Sequence, residues 1–190
     1  MAKPWEATVR AAQNGDSRAF AALVHDFSDY VYHIAYSVLW QAEDAEDVAQ
    51  ESFLKAYTSL GQLREAGAFA TWLARIAVNL ARDRLRRRGE ASLLDDLPPD
   101  APELVAPTGP PDEWLVARET QAAVQAAIAA LPNYYRTPLL LRVRAGLTYE
   151  EIAAVLAIPI GTVRSRIHAA RDRLASALAA TNQSTKEGAP

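Results

Sequence analysis

Cysteine is absent from the 190 residues, methionine occurs once and histidine three times. Without a thiol there is no disulfide, no thiolate metal site and no cysteine nucleophile. His25, His33 and His168 show no metal-ligand spacing, so neither a metal nor a cofactor is expected. Glycine is sparse, at 8 residues, and runs of β-branched residues are short. Together with abundant alanine this disfavours a sheet and favours an all-α chain. No segment approaches the ~20 consecutive apolar residues of a membrane span. The opening MAKPWEATVR lacks the apolar core of a secretory signal. The expectation is a cytoplasmic chain with no membrane insertion, and the missing cysteines fit a reducing compartment.

A second deficit is local. No Lys or Arg lies between Arg88 and Arg118, while Glu90, Asp95, Asp96, Asp100, Glu103, Asp112 and Glu113 fall there together with six prolines. Proline opposes helix and like charges repel, so residues 89–111 read as an extended, flexible linker. At ~3.1 Å per residue it reaches on the order of 70 Å, about two turns of DNA. It divides the chain into a helical domain at 1–88, a second at 112–180 and a flexible tail at 181–190. The formal net charge of −3 therefore hides a segregation of acid from arginine, and a local basic stripe is the better guide to nucleic-acid binding.

Periodicity and caps place helices at about 5–13, 17–40, 42–60 and 68–88, then 112–130, 133–144, 149–156 and 161–180. Thr148 and Glu151 make a capping-box pattern, with Gly146 suited to end the preceding helix. Ile152, Ala153 and Leu156 point inward, and AIPIG supplies a short turn. In the last helix Val163, Ile167, Ala170 and Leu174 form one apolar stripe, while Arg164, His168 and Arg171 share another face beside Ser165 and Arg166. A helix-turn-helix with a basic second helix suits a major groove, where arginine pairs with guanine edges and phosphate.

The helix at 68–88 buries Phe69, Leu73, Ile76 and Leu80. It carries Arg75, Asn79, Arg82 and Arg86 on another face, with Trp72 at its edge. Arginines beside an aromatic suit single-stranded or opening DNA, and the preceding loop GQLREAG can accept an unstacked base. The helix at 42–60 is the opposite. Ala45, Val48, Ala49, Phe53, Ala56 and Tyr57 suit a core, while Asp44, Asp47 and Glu51 project together near Gln50. Such an acidic face repels DNA and fits a basic protein surface. Taken singly, each charged face is equally well explained by solvation, and Trp72 by the core.

Taken together, the segments resemble the extracytoplasmic-function sigma factors of the sigma-70 family. DAEDVAQESFLKAY is similar to the segment that docks on the clamp helices of the RNA polymerase β′ subunit. FATWLARIAVNLARDRLRR is similar to the segment that reads and melts the minus-ten element. LPNYYRTPLLLRVRAGLTYEEIAAVLAIPIGTVRSRIHAARDRL resembles the minus-thirty-five reader.

The resemblance implies a sigma-2-type helical bundle and a sigma-4-type helix-turn-helix domain, and a promoter-selecting subunit rather than an enzyme. It assigns polymerase binding to Asp44, Asp47, Gln50, Glu51 and Phe53. It assigns minus-ten recognition to Leu63 and Arg64 of the loop and to Trp72, Arg75, Asn79, Arg82, Asp83 and Arg86, with Asp83 orienting arginines. Minus-thirty-five recognition falls to Thr162, Arg164, Ser165, Arg166, His168 and Arg171. The implied partners are core RNA polymerase (β′ clamp helices and β subunit), promoter DNA as duplex and non-template single strand, and an anti-sigma factor. The competing reading is a dimeric helix-turn-helix regulator that acts without being a polymerase subunit.

Overall fold

The computed structural model describes residues 3–89 and 121–187. All regular structure among them is helical. The helices are α1 (Glu6–Gln13), α2 (Ser17–Leu39), α3 (Ala42–Ser59), α4 (Phe69–Arg87), α5 (Gln121–Ala129), α6 (Asn133–Val143), α7 (Tyr149–Leu156) and α8 (Ile160–Glu187). Two short 3-10 turns, Leu60–Gln62 and Ala66–Ala68, join α3 to α4. The linker expected at 89–111 and the helical residues expected at 112–120 lie outside the described residues, apart from Gly89. No single helix among the described residues is long and apolar enough to cross a membrane.

The hub of the N-terminal half is α2, about 34 Å long at 1.5 Å per residue. It starts where the Asp16 carboxylate accepts from the amides of Arg18 (2.9 Å) and Ala19 (3.2 Å), satisfying two donors that no helical carbonyl can reach. Its buried stripe of Leu23, Phe27, Val31, Ile34 and Val38 repeats every three or four residues. Helices α1, α3 and α4 all pack against it. Phe27 makes edge-to-face contacts with Trp5 at 5.4 Å and Phe69 at 5.1 Å, joining α1, α2 and α4 in one aromatic column. The inner face of α4 carries Ala74, Ala77 and Ala81, all fully buried, and these small side chains let the backbones approach closely.

In the C-terminal half, α5 and α6 pack on α8. The expected capping box is formed: the Glu151 amide donates to the Thr148 hydroxyl at 3.2 Å, and the Thr148 amide donates to the Glu151 carboxylate at 2.8 Å. Gly146 has φ +70, and the Leu147 amide returns to the Leu141 carbonyl, closing α6 as expected of a glycine past a helix end. Helices α7 and α8 meet at 107°, within the range of helix-turn-helix units. The tight turn depends on Ala157, which has a left-handed φ of 57. Val163, Ile167, Ala170 and Leu174 are all buried, as their spacing predicts. Beyond Ala180, where the sequence suggests an end, α8 continues to Glu187. No glycine or proline occurs before Gly188, and each added residue gains a backbone bond.

The two halves pack on one another, α6 against α2 and α7 against α4. Each side donates to orphan carbonyls at the other's helix ends. The Thr137 hydroxyl donates to the Ser37 carbonyl of α2 at 3.1 Å. Arg75 donates to the carbonyl of Ala154 at 3.1 Å and Arg82 to that of Leu156 at 2.9 Å, both in the last turn of α7. The last four carbonyls of a helix have no partner within it and carry partial negative charge, so guanidinium and hydroxyl donors fit there. Arg136 lies over the Trp40 ring at 5.1 Å, and Arg144 over Tyr36 at 5.2 Å, adding cation–π contacts to the seam.

Candidate nucleic-acid interface

Helix α3 presents an acidic face, but not the one its spacing predicts. Asp47, Gln50 and Glu51 are exposed, as expected, and Phe53 is half-buried against the core. Asp44 is buried. It takes the Arg84 guanidinium at 3.0 Å and that of Arg88 at 2.5 Å, while Arg84 also bonds Asp47 at 2.7 Å. These bonds keep Arg84 protonated more firmly than usual, with the Asp47 hydrogen bond the largest cause. Asp44 therefore ties α3 to α4, a correction to its placement on the outer face. Its position resembles its neighbours in spacing, but the two arginines that draw it inward are remote in sequence.

Tyr57, expected in the core, stands 61% exposed, and Leu54 71%. Tyr57 still rests its ring edge-on against Phe20 at 4.9 Å. Ser52, a polar residue, is instead fully buried on this helix, its hydroxyl donating to the Val48 carbonyl at 2.6 Å. The outer surface of α3 is thus acidic with two large apolar side chains set into it.

On α4, Arg75, Asn79, Arg82 and Arg86 run along one side. Arg75, Asn79 and Arg86 are exposed and Arg82 is half-buried. Asp83 pairs with Arg86. Trp72 is half-buried, its ring 6.0 Å from that of Phe69. Arg75 and Arg82 are the residues that hold the end of α7, so one part of the expected DNA face is turned into the seam between the halves. Of the loop residues, Arg64 is exposed. Leu63 is buried and anchors the loop in the core, a second departure from the expected grouping. Sequence reasoning gave α1 no role, yet Gln13 of α1 donates to the carbonyls of both Leu60 (3.1 Å) and Leu63 (2.7 Å).

On α8, Arg164 is exposed, Thr162, Ser165 and Arg171 are half-buried, and His168 pairs with Asp172 at 3.3 Å. The Ser165 hydroxyl is used internally, donating to the Thr162 carbonyl at 3.1 Å. Arg166 is buried. It is two residues from Arg164, about 200° around the helix, which turns it away from the outer face and brings its charge near Tyr134 of α6. Among the described residues no group of three His, Asp or Glu side chains is placed to hold a metal ion.

Two family models match in the order this geometry requires. Sigma-70 region 2 matches residues 23–91, and Sigma-70 region 4 matches residues 121–174. RNA polymerase sigma-H factor of Pseudomonas aeruginosa is 39% identical over 176 residues, covering 90% of this chain and 91% of that protein. The chain belongs to the extracytoplasmic-function sigma factors. The sigma factor SigW of Bacillus subtilis, of the same family, is 35% identical over 172 residues, covering 87% and 92%. Among solved structures, CnrH in complex with the cytosolic domain of CnrY has a TM-score of 0.65 at 26% identity, covering 92% of this chain and 97% of that one. The Bartonella quintana sigma factor RpoE in complex with the anti-sigma factor NepR shares the fold, with a TM-score of 0.63 at 23% identity, covering 84% and 96%.

This sigma factor directs RNA polymerase, with a region 2 built on α2–α4 and a region 4 on α5–α8. The dimeric regulator considered from the sequence is not favoured, because it leaves the region 2 match without a role.

Proposed function

We propose that the sigma factor docks on the β′ clamp helices of core RNA polymerase through α3, using Asp47, Gln50 and Glu51. Leu54 and Tyr57 supply the apolar contact, and Phe53 backs the face from within. The observation that carries this docking reading is the combination on α3 of exposed acid with two large exposed apolar side chains. Acid alone is well solvated, whereas apolar surface framed by charge marks a protein partner.

In the same reading Trp72, Arg75, Asn79, Arg82 and Arg86 engage the minus-ten element, with Asp83 orienting Arg86. The loop around Arg64 accepts an unstacked base of the non-template strand. Thr162, Arg164, Ser165, His168 and Arg171 engage the minus-thirty-five duplex. The region up to 88 and the region from 112 act as separate reading modules tied by the intervening linker. Because Arg75 and Arg82 serve both the seam and the DNA face, α7 must leave α4 before the minus-ten element is read. The polymerase performs the chemistry, and the sigma factor contributes placement, in the cytoplasm. An anti-sigma partner fits the same scheme, since a second protein's domain accompanies the similar CnrH chain.

The test is transcription. Purified sigma factor added to core polymerase at low salt should start transcripts at a defined set of sites with a shared upstream pattern. Random starts, or none, would refute the reading.

A further inference from the structure

Helix α1 faces the loop between α3 and α4 across a polar cleft of about 450 Å³. The cleft is lined by Glu6, Arg10 and Gln13 on one side and by Arg64, Glu65, Ala66 and Gly67 on the other. The loop has little regular structure to shape it, only two 3-10 turns of three residues each. Two contacts from α1 fix it. The Gln13 amide nitrogen bridges the carbonyls of Leu60 and Leu63, and the Glu6 carboxylate sits against Gly67, where a Cβ would come within 3.0 Å of it. Glu6 is itself held by the Lys3 amide at 2.7 Å and by Arg10 at 3.6 Å.

We infer that α1 is part of the strand-opening site: Gln13 is a positioning residue that sets the loop, and the cleft between them takes one unstacked base of the non-template strand. This deepens the proposed role of the loop and rests on it. A flipped base is read by donors and acceptors arranged around its edge, and the cleft offers both. Arg10 and Arg64 match purine acceptors, while Glu6 and Glu65 match exocyclic amines. Gln13 does not touch the base. Its two donors satisfy the Leu60 and Leu63 carbonyls, so the loop holds its shape before DNA arrives. Glutamate at this position has no donor and would repel both carbonyls.

The experiment uses holoenzyme assembled on core polymerase and a promoter series carrying a single abasic site at each non-template position of the minus-ten element. Open-complex formation is followed by permanganate reactivity. With the unaltered sigma factor, one abasic position should lower opening about tenfold. Gln13→Glu should lower opening on the intact promoter by a similar factor, and the abasic site should then cost nothing further, the coupling expected of two changes to one interaction. Core binding should stay near that of the unaltered protein, and the melting temperature should fall only by the few degrees that losing the two bonds costs.

Arg10→Ala, at an exposed position, keeps the loop anchored and guards against a folding defect. It should lower opening three- to tenfold on the intact promoter only. If Gln13→Glu leaves the full abasic dependence in place, or acts only in proportion to lost thermal stability, the positioning role is overturned. If Arg10→Ala changes nothing, α1 does not line the base site. If no abasic position matters to the unaltered protein, the loop's capture role itself fails.

Discussion

Arg82 of α4 donates to the carbonyl of Leu156, the last residue of α7, at 2.9 Å. A guanidinium on the proposed minus-ten face thus completes a helix end in the other half of the molecule. Arg75 does the same for Ala154, and Thr137 returns the arrangement by completing Ser37 at the end of α2. These three bonds measure how firmly the halves hold one another.

Thr137→Val tests that hold without touching a proposed DNA contact. Removing one buried donor costs about 1 kcal/mol, roughly a fivefold shift toward separated halves. With no native cysteine in the chain, paired dyes at Glu46→Cys and Ala175→Cys, both exposed positions, report the separation by energy transfer. Lower transfer efficiency is expected in the Thr137→Val background, and an unchanged distribution would remove the hydroxyl from the seam.

Asp44 and Glu51 should separate stability from docking. Asp44→Ala strips a buried carboxylate from two arginines and should cost about 3 kcal/mol, read as a lower urea midpoint. Glu51→Arg, on the exposed face, should change stability by no more than about 0.5 kcal/mol and still reduce core polymerase affinity at least tenfold. Wild-type affinity for Glu51→Arg would remove that face from the docking surface.

A similar split is expected on α8. Arg164→Ala should weaken binding to the preferred minus-thirty-five duplex by about 1–3 kcal/mol if it reads a base, with an unchanged melting temperature. Arg166→Ala should instead lower the melting temperature, because its guanidinium is buried. Equal losses on all duplexes for Arg164→Ala would identify a phosphate contact.

Tyr30 supplies a pH dependence. Burial pushes its phenol up, and the Glu151 carboxylate across the seam pushes it further. The folded chain then keeps a proton that the unfolded chain gives up near about pH 10. The stability from this group is fully present below that pH and falls as pH rises above it. Urea midpoints at about pH 9 and about pH 11 should show a smaller decline for Tyr30→Phe than for the unaltered protein. Equal declines would count against Tyr30 as the source.

Short-range features were legible in the sequence. Asp16, the Thr148–Glu151 box and Gly146 act within a few residues of themselves, and the apolar stripe of α8 repeats with the helix. What the sequence hid depends on distant partners. Asp44 shares its helical spacing with Asp47 and Glu51, and only the fold brings Arg84 and Arg88 to it. Arg166 sits in a run of arginines whose burial is decided by the packing of α8. Gln13 bonds residues 47 and 50 positions away, and no local pattern announces that. The division by the charged, proline-rich stretch gave no sign that α7 would seat on α4.

The left-handed Ala157 carries a last consequence. An alanine in that conformation is strained by about 1–2 kcal/mol relative to an ordinary turn, and glycine would adopt it freely. Alanine also leaves the chain fewer alternatives when unfolded and fewer ways to flex once folded. The angle between α7 and α8 is therefore held by the backbone itself, and in the proposed minus-thirty-five reading the second helix meets its duplex with its tilt already set.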